Sequence, residues 1–226
     1  TGQIYTFEPF MNRKTLWVFR VSLLLNLVFI IAGLFAIIKF NLKLPVPNAD
    51  RKHYTVVMFG NSLIAGGNWA KLLERNDVLN SGTGGFNTSQ MVFYTKRDVL
   101  KHHPKICFLG GAINDLGIGI PMKRTLENYN AIIAKLKANK IEPVIESTFY
   151  VNGRDEILYN ALVDSINVEL KNIALKHGIT FMNTNQYLVE NGRLKTAYTT
   201  DGIHLRPAAY QIWAKEVNRV LKEKGI

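Results

Sequence analysis

Val56-Val57-Met58-Phe59-Gly60-Asn61-Ser62-Leu63 is the stretch on which the reading of this chain turns. An unbroken apolar run stops at a glycine, an amide and a serine. Gly66-Gly67 then leads into Trp69-Ala70-Lys71-Leu72-Leu73, a sequence that predicts a helix. A buried strand ending in a small polar turn before a helix is how α/β folds present reactive groups at the carboxyl edge of the sheet. A serine in that turn lies near the first free N–H groups of the helix. A turn that only joins two elements has the same composition, so this stretch alone fixes no chemistry.

The far end of the chain supplies what a serine needs. Asp201-Gly202-Ile203-His204 lies in a Thr/Gly-rich loop before a last amphipathic segment. A serine hydroxyl is a weak nucleophile at neutral pH and requires a base to take its proton. That base must be held in one tautomer by an acceptor. A carboxylate three residues before an imidazole can meet it across one turn. Ser62, His204 and Asp201 are therefore the predicted nucleophile, general base and orienting anion.

Between these ends, strand-like and helix-like patterns alternate. Predicted strands fall at Val78–Asn80, Lys105–Leu109, Ile141–Ile145 and Ile179–Met182. Predicted helices run from about Asn87 to His103, Pro121 to Asn139, Asp155 to Lys176 and Pro207 to Lys224. Such alternation implies a parallel sheet covered by helices on both faces. The loops after the first three strands then converge at one sheet edge. There the Ser62 N–H, a glycine N–H at Gly85 and the side-chain amide of Asn114 could form an oxyanion hole. Phe149, Tyr150 and Asn152, after the fourth strand, are candidate substrate-binding residues, with ordinary loop packing as the rival reading.

Residues Val21 to Ile38 carry no charge, and as a helix they span roughly 27 Å, close to the thickness of a bilayer core. Trp17 suits an interfacial position and Arg20 can snorkel. Residues 1–15 are therefore expected to form a tail, 16–40 a transmembrane anchor, 41–52 a Pro-containing linker and 53–226 the catalytic domain. Positive residues flank the span on both sides, so charge barely orients it. The expected arrangement is single-pass, with the large domain extracytoplasmic.

Composition narrows the partners. The net charge of +11 reads first as a lysine-rich solvated surface and second as attraction to anionic surfaces, and no Lys/Arg cluster with interleaved aromatics occurs, which argues against nucleic acid. The glycines near Gly82 lack dinucleotide-binding spacing, and the histidines lack metal-ligand pairing, so no cofactor and no metal are expected. Cys107 is the single cysteine, set in an apolar run and expected in the core.

Four short blocks, taken in order, resemble the SGNH (GDSL-type) hydrolase family. Gly60-Asn61-Ser62-Leu63 resembles the first block and Asn80-Ser81-Gly82-Thr83-Gly84-Gly85 the second, with Gly82 the alternative to Gly85 as oxyanion glycine. Ala112-Ile113-Asn114-Asp115 resembles the third, and Asp201-Gly202-Ile203-His204 the last. The similarity runs from about Tyr54 to Ile226, closest to the carbohydrate-esterase and platelet-activating-factor acetylhydrolase-like branch. Asn61 stands where the family usually has aspartate, and Ala112 where it usually has glycine. The resemblance implies a three-layer α/β/α sandwich with a five-stranded parallel sheet, flavodoxin-like in topology. It implies a serine esterase acting on an acylated carbohydrate or other small ester, acetyl foremost. An acyltransferase using the same site, supplied by a membrane protein partner, and a non-catalytic subunit of a membrane complex are the alternatives.

Overall fold

The computed structural model describes residues 13–39, 53–153 and 156–226. The expected linker and the first ten residues lie outside them. The chain divides into two units, Thr1–Arg51 and Lys52–Ile226.

In the first unit, helix α1 spans Arg13–Lys39. Every side chain from residue 13 to 35 is exposed, and Arg13–Phe35 is long and apolar enough to cross a membrane. A signal sequence shares that length and composition. Asn26 returns its amide to the Ser22 carbonyl at 2.8 Å, so this polar group is satisfied within the helix itself, as an apolar medium requires.

The second unit contains, in order, β1 (Val56–Gly60), α2 (Ser62–Ala65), α3 (Trp69–Leu72), β2 (Val78–Gly82) and α4 (Thr88–Asp98). Next come β3 (Ile106–Gly110), α5 (Ile113–Gly117), α6 (Met122–Ala138), β4 (Glu142–Glu146) and α7 (Glu156–His177). β5 (Thr180–Met182), α8 (Asn185–Leu188), β6 (Val189–Glu190), β7 (Arg193–Leu194) and α9 (Pro207–Glu223) complete it. The five-stranded sheet is parallel throughout, in the order β2-β1-β3-β4-β5.

The apolar strands read as they do because both faces are covered. Val56 and Met58 of β1 pack with Trp69 of α3 and with Trp213 and Val217 of α9 on one face. Their neighbours Val57 and Phe59 pack with Met91 of α4, Ile132 of α6 and Ile166 of α7 on the other. This period of two follows from strand geometry and produces the three-layer α/β/α sandwich. Cys107 is buried in the second cluster, as its apolar setting implies. Close strand packing also explains Gly60, where a Cβ atom would lie 1.9 Å from the Gly110 carbonyl oxygen of β3.

Strand limits agree with the sequence reading to within about two residues at each end. The predicted helix to His103 instead stops at Asp98, and a 3₁₀ turn over Leu100–His102 carries the chain to Pro104. The short helices α5 and α8 and the β6–β7 hairpin have no counterpart in the sequence reading, because each is too brief for periodicity to register.

Glu146 ends β4 in the core. Its Oε1 accepts the Trp213 indole N–H at 3.0 Å, Oε2 has no partner among the described residues, and burial pushes its carboxyl up to about 8. A carboxyl raised by folding binds its proton more tightly in the native state. Its contribution is complete below the ordinary 4.5 and is lost as pH rises towards 8. Urea unfolding should therefore show stability falling by up to about 1.4 kcal/mol per pH unit across that window. In Glu146→Gln, which keeps the acceptor for Trp213, that slope should disappear; an unchanged slope would assign it to other groups.

Candidate active site

The turn after β1 is fixed from several sides. The Asn61 N–H donates to the Gly110 carbonyl at 3.3 Å, and Asn61 Oδ1 accepts the Leu63 N–H at 3.0 Å, capping α2. Aspartate, the usual family residue, could make the same cap, so the amide preserves the local geometry while removing a charge. The Tyr210 hydroxyl donates to the Leu63 carbonyl at 2.7 Å, and the Trp69 indole to the Ile64 carbonyl at 2.8 Å. Ser62, the first residue of α2, is thereby held half-buried at the carboxyl edge of the sheet.

The loop before α9 is also built around one side chain. Asp201 Oδ1 accepts the backbone N–H groups of Ile203 at 3.0 Å and His204 at 2.8 Å. Oδ2 faces His204 Nδ1 at 2.7 Å. With Nδ1 donating to that carboxylate, Nε2 is left as an acceptor, and it lies 3.2 Å from Ser62 Oγ. The three residues singled out at opposite ends of the domain sequence thus form one hydrogen-bonded relay. The His204 side chain, followed by the backbone N–H groups of His204 and Ile203, holds the Asp201 carboxyl well below the usual carboxylate range. The side chains of His204 and Asp201 are nevertheless 49% and 54% exposed.

Gly202 makes this loop sterically demanding. It adopts φ +95°, and a Cβ there would fall 1.9 Å from the Asn152 carbonyl oxygen. The Asn152 N–H in turn donates to the Gly202 carbonyl at 2.8 Å, which ties the relay loop to the segment after β4. The Thr199 hydroxyl closes the other side, accepting the Gly202 N–H at 2.8 Å and donating to the His204 carbonyl at 3.0 Å.

The loops after β2 and β3 flank the serine, because the register pairs Gly60 with Gly82 on one side and with Gly110 on the other. Gly85 is exposed with φ +75°. Neither its N–H nor that of Ser62 donates to another group among the described residues. One N–H of the Asn114 amide is engaged with the Phe86 carbonyl at 2.8 Å, which leaves the second available. That bond links the asparagine to the Gly85 loop. Ala112 begins the third block with φ 76°, a left-handed conformation that favours the glycine usual in the family.

Two residues missed in the sequence hold these loops. Asp115 is fully buried and accepts the Thr88 N–H at 2.9 Å, the Thr88 hydroxyl, and the Thr125 hydroxyl at 3.1 Å. It thereby joins the Asn114 loop to the start of α4, just beyond Gly85. Asn80 donates to the Ala65 and Gly67 carbonyls at 3.1 and 2.9 Å and accepts the Gly82 N–H at 2.9 Å. Both lie within the quoted blocks, where polar residues beside strand ends were the available signal.

The residues after β4 separate. Two α7 asparagines clamp this segment: Asn167 exchanges hydrogen bonds with the Thr148 backbone at 2.8 and 2.9 Å, and Asn160 with the Val151 backbone at 2.9 and 3.0 Å. Phe149 is buried with its ring edge-on to Trp213 at 4.7 Å, and it also borders a small enclosed pocket with Asn61, Gly110 and Trp213. Tyr150, packed against the edge of the same core cluster, also lines a cleft beside β5. The Asn152 amide is taken up by the Leu194 carbonyl at 2.6 Å and the Thr196 hydroxyl at 3.1 Å.

Comparison with known proteins places this arrangement. The sequence model of the GDSL-like lipase/acylhydrolase family matches residues 58–212. Over 117 residues the chain is 27% identical to an N-acylneuraminate cytidylyltransferase of Streptococcus agalactiae, which covers 49% of this chain and only 28% of that protein. It thus spans little more than a quarter of that relative. Over 151 residues it is 27% identical to an uncharacterized lipoprotein of Bacillus subtilis, covering 56% of this chain and 62% of that one. A GDSL-like lipase from Bacteroides thetaiotaomicron superposes with a TM-score of 0.67 at 22% identity, over 85% of this chain and 97% of that one. A catalytic mutant of an acetylxylan esterase from Geobacillus stearothermophilus gives 0.64 at 16% identity, over 77% and 97%. With the family match extending from β1 into α9, the chain belongs to the GDSL-like lipase/acylhydrolase family.

Proposed function

We propose that this enzyme is tethered to a membrane by α1 and removes a small acyl group, acetyl foremost, from a carbohydrate or related ester. The observation that carries the chemistry is the relay in which His204 Nε2 lies 3.2 Å from Ser62 Oγ while Nδ1 is held at 2.7 Å by Asp201. His204 takes the Ser62 proton as Oγ attacks the ester carbonyl, and a tetrahedral oxyanion forms. The N–H groups of Ser62 and Gly85 and the free amide hydrogen of Asn114 receive that charge. Return of the proton to the leaving alcohol yields the acyl-enzyme. His204 then deprotonates water, which releases the acid and restores the serine.

A short acyl group is suggested by the acetylxylan esterase that shares the fold. Carbohydrate is the substrate class suggested by the same enzyme. The direct test is hydrolysis of nitrophenyl acetate and nitrophenyl decanoate by the full chain in detergent, with fluorophosphonate labelling of Ser62. Preference for the decanoate, or labelling at another residue, would overturn the reading.

The oxyanion donors can be tested separately. Asn114→Ala should lower kcat by about 10²–10³-fold with little change in KM, since the amide acts on charge that develops only in the transition state. An effect confined to KM would remove Asn114 from that role.

A further inference from the structure

A cleft of about 440 Å³ opens beside β5, and none of the steps above uses it. Its walls include Tyr150, Asp164, Lys171, Phe181, Asn185 and Gln186. Because Tyr150 follows β4 and Asn185 and Gln186 follow β5, it extends to the same carboxyl edge that carries Ser62. β5 is three strand spacings from β1 in the sheet order, which puts the cleft roughly 14 Å from the relay.

The lining chemistry is that of a sugar site. A pyranose ring offers closely spaced hydroxyls, each both donor and acceptor, around faces of C–H groups. Here the amides of Asn185 and Gln186, the Asp164 carboxylate and the Lys171 ammonium supply polar partners, while Phe181 and Tyr150 supply flat apolar surface. Tyr150 donates its hydroxyl proton to Asp164, and burial followed by that carboxylate pushes its phenol up to about 12, so it stays neutral with a lone pair to offer.

One side chain points to a missing donor. Asn185 is only 4% exposed, and its amide nitrogen is satisfied by the Thr148 carbonyl at 2.8 Å. Its Oδ1, in a residue lining the cleft, has no partner among the described residues. An acceptor left unmatched carries a penalty until a donor reaches it, and because Oδ1 is closed off from solvent here, the Asn185 side chain shifts towards the cleft when a ligand hydroxyl pairs with it.

We propose that this cleft holds a distal part of an oligosaccharide substrate while its acyl group lies at Ser62. The inference rests on the carbohydrate reading of the active site and deepens it: the substrate is a glycan chain of several rings, not an acylated monosaccharide. The cleft then lowers KM for long chains and leaves the chemical step untouched.

The test uses the full chain in detergent with partly acetylated xylo-, cello- and chito-oligosaccharides of two and six sugars. The wild type should show a KM at least tenfold lower for one of the hexasaccharides than for its disaccharide. Lys171→Ala with Gln186→Ala, both at exposed positions, should abolish that advantage while kcat and nitrophenyl acetate hydrolysis stay unchanged. Asn185→Leu should act likewise, with its thermal unfolding midpoint recorded to separate lost binding from lost folding. Equal KM values for short and long chains in the wild type, or a length advantage that survives both variants, would overturn the proposal. If no ester is hydrolysed, the active-site reading fails by itself. The cleft is then judged by calorimetric titration with the unacetylated hexasaccharides: binding lost in the double variant supports it, and no binding by the wild type overturns it.

Discussion

Replacing Ser62 by alanine should lower kcat on nitrophenyl acetate by about 10⁵–10⁶-fold and abolish fluorophosphonate labelling. The loss is large because the relay acts as a unit: without Oγ, His204 has no proton to take and no acyl-enzyme forms. A residual rate above that of water is expected from the remaining oxyanion donors. The protein should stay folded, since the α2 cap belongs to Asn61 and the turn is braced through Leu63 and Ile64. Circular dichroism and the thermal midpoint should therefore match the wild type. A variant that keeps more than a hundredth of the wild-type rate would transfer the nucleophile's role elsewhere.

Asp201→Asn should cost about 10⁴-fold in kcat, and for a different reason. The asparagine oxygen can still accept the Ile203 and His204 N–H groups, so the loop keeps its shape. The position that faces Nδ1 becomes an amide donor, however, and the imidazole must then carry its hydrogen on Nε2. That tautomer points a proton at Ser62 and cannot remove one. The wild-type carboxylate is held below its usual range by His204 and two backbone N–H groups. It therefore remains ionised well into acid, and no part of an activity loss between pH 8 and 5 should come from its protonation. Raising the pH should not rescue the variant, because the defect is a misplaced hydrogen. Recovery at high pH would imply that Asp201 acts only through its charge.

Much of the fold and of the relay could be read from the chain because the relevant signals are local. β1 and β3 are apolar on both faces and end at glycine, and Asp201 and His204 are three positions apart, so each half of the pattern is contiguous. What could not be read depends on contacts across the sheet. Phe149 and Tyr150 are equally aromatic neighbours, and nothing between them says which one enters the core. Their placement is set by Asn160 and Asn167, about one and three turns into α7, whose amides bond the backbone of Val151 and Thr148 on either side. Asp115 was similarly opaque: its partners Thr88 and Thr125 lie 27 and 10 residues away. The strain at Ala112 is legible only in hindsight, through the glycine usual at that place. Ala112→Gly should raise stability by about 1–2 kcal/mol, measurable by urea unfolding.

The openness of the relay bears on what happens after the first half-reaction. An imidazole and a carboxylate with about half of each side chain facing solvent cannot keep bulk water from the acyl-enzyme. Water at tens of molar then competes against any sugar acceptor present at millimolar levels. On the proposed mechanism, such exposure favours net deacylation over relocation of the acyl group to another glycan.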